Sequence, residues 1–225
     1  ITPEKLRAMK AGGVGRISIN PQTLNDHVLE AIGRRHTAEQ TIDAFRLARS
    51  AGFDHINMDL IAGLPQDSYE SFVRTLNGVL ALDPESITIH TLAMKKSSAL
   101  TQHGMELYRK ECEETARMLD FAEEILPEKG YHPYYLYRQS RMVGNLENVG
   151  WAKKGCDSYY NVYVMDETHT VLACGAGAVT KLKEPDGEYL ERIFNFKYPY
   201  EYISRFEEMI SRKEQVKAFY DQFSK

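Results

Sequence analysis

The chain has 225 residues, 43% of them hydrophobic and 27% charged, with 28 Lys plus Arg against 32 Asp plus Glu and a net charge of −4. Those proportions exclude a disordered polyelectrolyte, and the absence of a positive excess argues against general nucleic-acid binding. No apolar run approaches the roughly 20 residues needed to cross a bilayer, so no membrane span is expected.

The first half alternates strand and helix signals. Gly15 to Asn20 (GRISIN) places Ile17 and Ile19 between polar residues and reads as a short strand, halted by Pro21. Asn25-Asp26 caps a short helix carrying Val28, Leu29 and Ile32. Thr37 opens a capping box with Gln40, ahead of a helix that stops at Gly52. His55 to Pro65 (HINMDLIAGLP) is a second strand, with Asn57 and Asp59 alternating against Ile56, Met58 and Leu60. Ser68 caps a helix whose Phe72, Val73, Leu76, Val79 and Leu80 form one apolar stripe. Ser86 to Met94 is a third strand, and a long amphipathic helix follows from about Met105 to Lys129, with Pro127 at its end. This succession predicts an α/β fold with parallel strands and right-handed crossovers. Chemistry in such sheets collects beyond the carboxyl ends of the strands, where Gln22, Asp59, His90 and Thr91 fall.

The second half differs. Tyr131 to Ser140 is rich in tyrosine, and Asn145 to Trp151 (NLENVGW) reads as a polar loop. YNVYVM and TVLACGAGA read as two antiparallel strands joined by a turn at Asp166 to His169. Pro199 opens a helix carrying Ile203, Phe206, Met209 and Ile210.

The three cysteines, Cys112, Cys156 and Cys174, form no CxxC pair, so the chain offers no recognisable zinc or iron–sulfur cradle. Sparse, unpaired cysteines suit a reducing, cytoplasmic compartment. The seven histidines show no ligand spacing, so no metal residues are expected. Asp59 lies between apolar neighbours, where a charge needs a partner, a ligand or a solvated strand end. Arg34 suits a bound carboxylate, but its spacing alone favours the plainer reading of a helix C-terminus decorated with cations. Gly175 to Ala178 lacks GxGxxG spacing and reads as a packing corner. Tyr131, Tyr134, Tyr135 and Tyr137 stack on a flat ligand or fill strand faces. The residues alone leave the reaction open.

Four stretches carry a resemblance: RISINPQTLNDHVLEAIGRRH, INMDLIAGLP, NLENVGW and GAGAV. With them the whole chain resembles the oxygen-independent coproporphyrinogen III oxidases (coproporphyrinogen dehydrogenases), a radical S-adenosylmethionine family whose relatives include a heme chaperone. The resemblance implies part of a partial (βα) barrel over residues 1–130, followed by a mixed α/β C-terminal region over 131–225. It implies that Gln22, Arg34, Asp59, Ala93 and Val179 contact S-adenosylmethionine, Arg34 through the methionyl carboxylate. It further implies a 4Fe–4S cluster, a porphyrinogen substrate and an electron donor of unknown identity. In such enzymes a 5′-deoxyadenosyl radical removes a hydrogen atom from a propionate, and loss of carbon dioxide and an electron leaves a vinyl group. Arg35 and Arg138 are candidates to pair with the propionates. The CxxxCxxC cluster loop of the family is missing, as is the glycine-rich segment that precedes this region. The expectation is therefore a C-terminal fragment, catalytically silent alone, of a parent that converts coproporphyrinogen III to protoporphyrinogen IX. The rival readings are a heme-handling protein and a non-catalytic interaction module on the same scaffold.

Overall fold

A computed structural model of the chain describes residues 1–92, 102–137 and 146–223, the side chains of 102–111 aside. The chain divides into two compact units, Ile1–Asp157 and Ser158–Lys225.

The first unit runs α1 (Pro3–Ala11), β1 (Arg16–Ser18), α2 (Asp26–Ala31), α3 (Ala38–Ser50), β2 (His55–Ala62), α4 (Tyr69–Leu82), β3 (Ser86–Thr91), α5 (Gln102–Glu128), β4 (Tyr131–Tyr137) and β5 (Asn148–Lys153). Local chemistry sets the helix starts. The Asn25 side chain accepts from the amides of His27 and Val28, Thr37 and Gln40 form the expected capping box, and Ser68 accepts from Ser71 N. Pro127 sits one residue inside the end of α5.

The strands form one sheet in the order β1-β2-β3-β5-β4. β1, β2 and β3 are mutually parallel, and β5 runs antiparallel to β3 and β4. Alternation gives this sheet two faces. Ile56, Met58, Leu60, Ile87, Ile89 and Trp151 point to one, where they pack with Phe72, Leu76 and Val79 of α4 and Met118, Ala122 and Leu126 of α5. Burying each large side chain contributes roughly 1.5–3 kcal/mol, which fixes the register and turns the intervening residues to the other face.

The sequence expectation for NLENVGW is overturned. Asn148–Lys153 is strand β5, inserted between β3 and β4. Its alternation is masked because the positions on the polar face carry Asn148 and Gly150, which are buried here but are poor strand formers in isolation. The change of composition after residue 130 therefore marks the end of the βα succession, while the sheet continues through β4 and β5.

The second unit contains α6 (Tyr159–Asp166), β6 (Val179–Lys183), β7 (Leu190–Phe194), α7 (Pro199–Ser204) and α8 (Phe206–Asp221). YNVYVM is thus helical, not a strand. Tyr159 and Tyr163, one turn apart, stack at 6.1 Å, and Glu167 closes the helix in the left-handed region. TVLACGAGA is not a strand either. Val171 makes one isolated bridge to Lys181, and the chain then bends through Gly175 (φ 104°) and Gly177 (φ 73°). The hairpin is β6–β7 instead, with Pro185-Asp186-Gly187 in its turn, a recognisable turn signal. Leu182, Ile193 and Phe219 form its core. The helix opened by Pro199 is interrupted at Arg205 and resumes as α8.

Candidate functional site

The face of the sheet opposite the apolar core is polar. On β2 the buried Ile56, Met58 and Leu60 leave His55, Asn57 and Asp59 on this face. The register sets Asn57 beside Ser18 and Ser86, and Asp59 beside Thr88. The next position on β3, His90, pairs with Ile61. Hydrogen bonds join the row. Asn57 Nδ2 donates to Asp59 Oδ1 (2.6 Å) and to Ser18 Oγ (3.3 Å), and Thr88 Oγ1 donates to Asn57 Oδ1 (3.3 Å). His90 Nε2 lies 3.8 Å from Asp59 Oδ2. That is close enough for electrostatic attraction and too long for a direct hydrogen bond. Asn57 thus fixes one oxygen of Asp59, and the other faces His90.

Two tyrosines from β4 complete the row. Tyr135 pairs with Gly150 and Tyr137 with Asn148. Their side chains cross β5 to reach β3, where the Tyr135 hydroxyl meets Thr88 Oγ1 (3.4 Å) and the Tyr137 hydroxyl meets His90 Nδ1 (2.9 Å). Gly150 makes the crossing possible, because a Cβ there would lie 1.8 Å from Tyr135 Cε1. Burial pushes the Tyr135 hydroxyl up to about 12, against the opposing hydrogen bond from Thr88. Burial also raises Tyr137, with the Asp59 carboxylate adding to the shift. Asn148, itself buried, accepts the Thr91 amide at 2.7 Å and closes the end of the β3–β5 ladder.

Gln22 reaches the same region by a backbone device. Ile19 N donates to Asn57 O, whereas the next strand-like donor to β2 is Gln22 N, to Asp59 O at 3.0 Å. Pro21 has no N–H to offer, so the chain takes one extra residue, and Gln22 adopts φ 67°. Such a left-handed conformation in a non-glycine residue costs about 1 kcal/mol or more and is held here by ladder bonds on both sides, Ile61 N returning to Gln22 O.

The structure therefore brings Gln22 and Asp59 together. Arg34 is exposed, just after α2 and Gly33, with its amide donating to Leu29 O. Val179 opens β6 in the second unit. Ala93 and Arg138 lie outside the described residues. Sequence reasoning placed His90 at a strand end without assigning it a role, gave none to Asn57 or Thr88, and weighed Tyr135 and Tyr137 only as stacking or strand-face residues without placing them beside Asp59. The alternation in HINMD and TIHT was the available signal. Beside β1, a cavity of about 660 Å³ is lined by Ser18, Asn20, His36 and Gln40 among others.

The Radical SAM superfamily matches residues 1–78. The chain is 41% identical over 213 residues to the oxygen-independent coproporphyrinogen-III oxidase-like protein HemZ of Bacillus subtilis, covering 95% of this chain and 42% of HemZ. It is 29% identical to the heme chaperone HemW of the same organism, covering 89% of this chain and 52% of HemW. The solved coproporphyrinogen III oxidase HemN of Escherichia coli, described as a radical SAM enzyme, shares the fold. Its TM-score is 0.59 at 19% identity, over 91% of this chain and 47% of HemN. The chain thus spans about half the length of these relatives.

Radical SAM chemistry brings S-adenosylmethionine and a 4Fe–4S cluster as the superfamily's cofactors. The two fare differently here. Among the described residues no group of three or more His, Cys, Asp or Glu side chains is placed to hold a metal. Cys112 and Cys156 are half-buried, Cys174 is exposed, and all three are free thiols. These residues do not fit the cluster. The polar face does suit a zwitterionic nucleoside, since Asp59 offers a carboxylate oxygen to an ammonium or ribose hydroxyl beside the strained Gln22 turn.

Proposed function

We propose that the full-length protein is a radical SAM oxidoreductase that oxidatively decarboxylates coproporphyrinogen III to protoporphyrinogen IX, and that this chain supplies the Asp59 side of its S-adenosylmethionine site. The observation that carries the reading is the polar row from Ser18 through Asn57, Asp59 and His90 to Tyr137, on one open sheet face. The 41% identity to an oxidase-like protein along 95% of the chain supports the substrate class.

When bound, S-adenosylmethionine and a reduced cluster supply a carbon radical able to take hydrogen from an unactivated carbon. This chain's own contribution is to bind and orient. Asp59, held by Asn57, accepts hydrogen bonds from the cofactor. Gln22 lines the turn beside it, and Arg34 offers a guanidinium to a carboxylate. Ala93 and Val179 complete the assignment as backbone and apolar contacts. A porphyrinogen is the proposed substrate, with Arg35 and Arg138 as propionate partners. The three cysteines of the 225 residues form no CxxxCxxC triad, and the proposal includes that this chain alone does not carry out the reaction.

The test uses the full-length protein, purified without oxygen and given coproporphyrinogen III, S-adenosylmethionine and a reductant. Protoporphyrinogen forms, and Asp59→Ala weakens S-adenosylmethionine binding by about 10- to 100-fold, the usual effect of losing a charged hydrogen-bond partner. The 29% identity to HemW over 89% of the chain favours heme handling as the second reading. Stoichiometric heme binding without porphyrinogen turnover would select it. No affinity for S-adenosylmethionine in the full-length protein would select a non-catalytic scaffold module.

A further inference from the structure

The Tyr135–Tyr137 pair is not used by the cofactor contacts above, yet it is built with care. The two ring planes are parallel within 1°, with centroids 6.2 Å apart. Both rings lie on the polar face, reaching from β4 over β5, and both hydroxyls are tied to β3. Gly150 provides the gap that Tyr135 occupies, and Tyr134 braces Tyr135 edge-on at 4.7 Å. A pair of rings held at both ends cannot rotate away from a ligand, so stacking on it costs little ordering entropy. The ring pair adjoins Asp59 through His90, which is hydrogen-bonded to Tyr137 and lies 3.8 Å from the carboxylate.

We propose that Tyr135 and Tyr137 form a binding subsite for an uncharged heteroaromatic ring, next to the carboxylate at Asp59, with His90 and Thr88 as the residues that position it. The inference rests on the function proposed above and deepens it. Two ring sources share this chemistry, the adenine of S-adenosylmethionine and a pyrrole of the tetrapyrrole. Aromatic side chains suit either, because stacking reads the π-face and not the substituents. Each hydroxyl already has a partner on β3, so it is the ring faces that the pair offers to a ligand.

The experiment titrates full-length wild type, Tyr137→Ala and Tyr137→Phe with two probes under anaerobic conditions, S-adenosylmethionine and coproporphyrin III. Each variant is first checked by circular dichroism and thermal melting. The expected result is a loss of at least about five-fold in affinity for one probe in Tyr137→Ala, recovered in Tyr137→Phe, which restores the ring without the hydroxyl. Loss confined to S-adenosylmethionine assigns the subsite to adenine, and loss confined to coproporphyrin III assigns it to a pyrrole. Should Tyr137→Ala fail to fold, Tyr137→Leu keeps the bulk and removes the π-face. Unchanged affinity for both probes in a folded variant overturns the subsite while leaving the proposed function standing. Equal losses in Tyr137→Phe and Tyr137→Ala also overturn it, since the hydroxyl would then be the contact. A wild type that binds neither probe removes the proposed function and the subsite together.

Discussion

Single side chains on the polar face each carry a distinct burden. Gly150 is there because Tyr135 occupies the volume of a Cβ, 1.8 Å from its ring carbon. Gly150→Ala is expected to lower stability by about 1–3 kcal/mol through overpacking, read by urea denaturation. Tyr135→Ala in the same background should recover part of that loss. The tyrosines also set an alkaline limit. Burial raises Tyr135 from its ordinary 10.0 to about 12 and pushes Tyr131 up further, its hydroxyl donating to Pro84 O at 2.6 Å. The folded state then keeps protons that the unfolded chain releases. Stability is intact below about pH 10 and falls as pH rises toward 12. Tyrosinate absorbance should show late-titrating tyrosines whose ionisation coincides with unfolding.

At the level of elements, helix starts follow local rules and strand order does not. Thr37 and Gln40 satisfy each other's backbone amides across the first turn of α3. Thr37→Ala is therefore expected to cost about 1 kcal/mol in thermal or chemical denaturation, with no effect on the sheet. The three parallel strands were legible because apolar and polar residues alternate along their sequences, most clearly on β2, where Asn57 and Asp59 are set against Ile56, Met58 and Leu60. β5 was not, because Gly150 and Asn148 occupy buried positions on the polar face for reasons that lie on β4 and β3. α6 was misread for the opposite reason. Its aromatic and β-branched residues favour strands on average, but stacking between Tyr159 and Tyr163 uses helical spacing.

For the whole molecule, the decisive fact is what the described residues hold and what they do not. They build one side of a polar sheet face, and no metal cradle of three or more ligands occurs among them. Reconstituting the 225-residue chain with iron and sulfide under anaerobic conditions is expected to leave no cysteine-ligated cluster and no S-adenosylmethionine cleavage. A cluster with cofactor cleavage in this chain would overturn that expectation. No described helix is long and apolar enough to cross a membrane, in line with the charge and hydropathy of the sequence.

The sequence by itself determined the helix caps, the parallel βα succession and the positions of Gln22 and Asp59, because capping and alternation act over a few residues and leave a local trace. It also carried the resemblance to a radical SAM family through short motifs. Tertiary structure alone decided that Asp59 shares its face with His90 and Tyr137, residues 31 and 78 positions further along by their numbering. The meeting with Tyr137 depends on an antiparallel strand lying between β3 and β4, and that with His90 on the parallel register of β2 and β3. Strand order is set by packing of the opposite, apolar face on α4 and α5, so no pattern within β4 or β5 announces which polar residues they will meet.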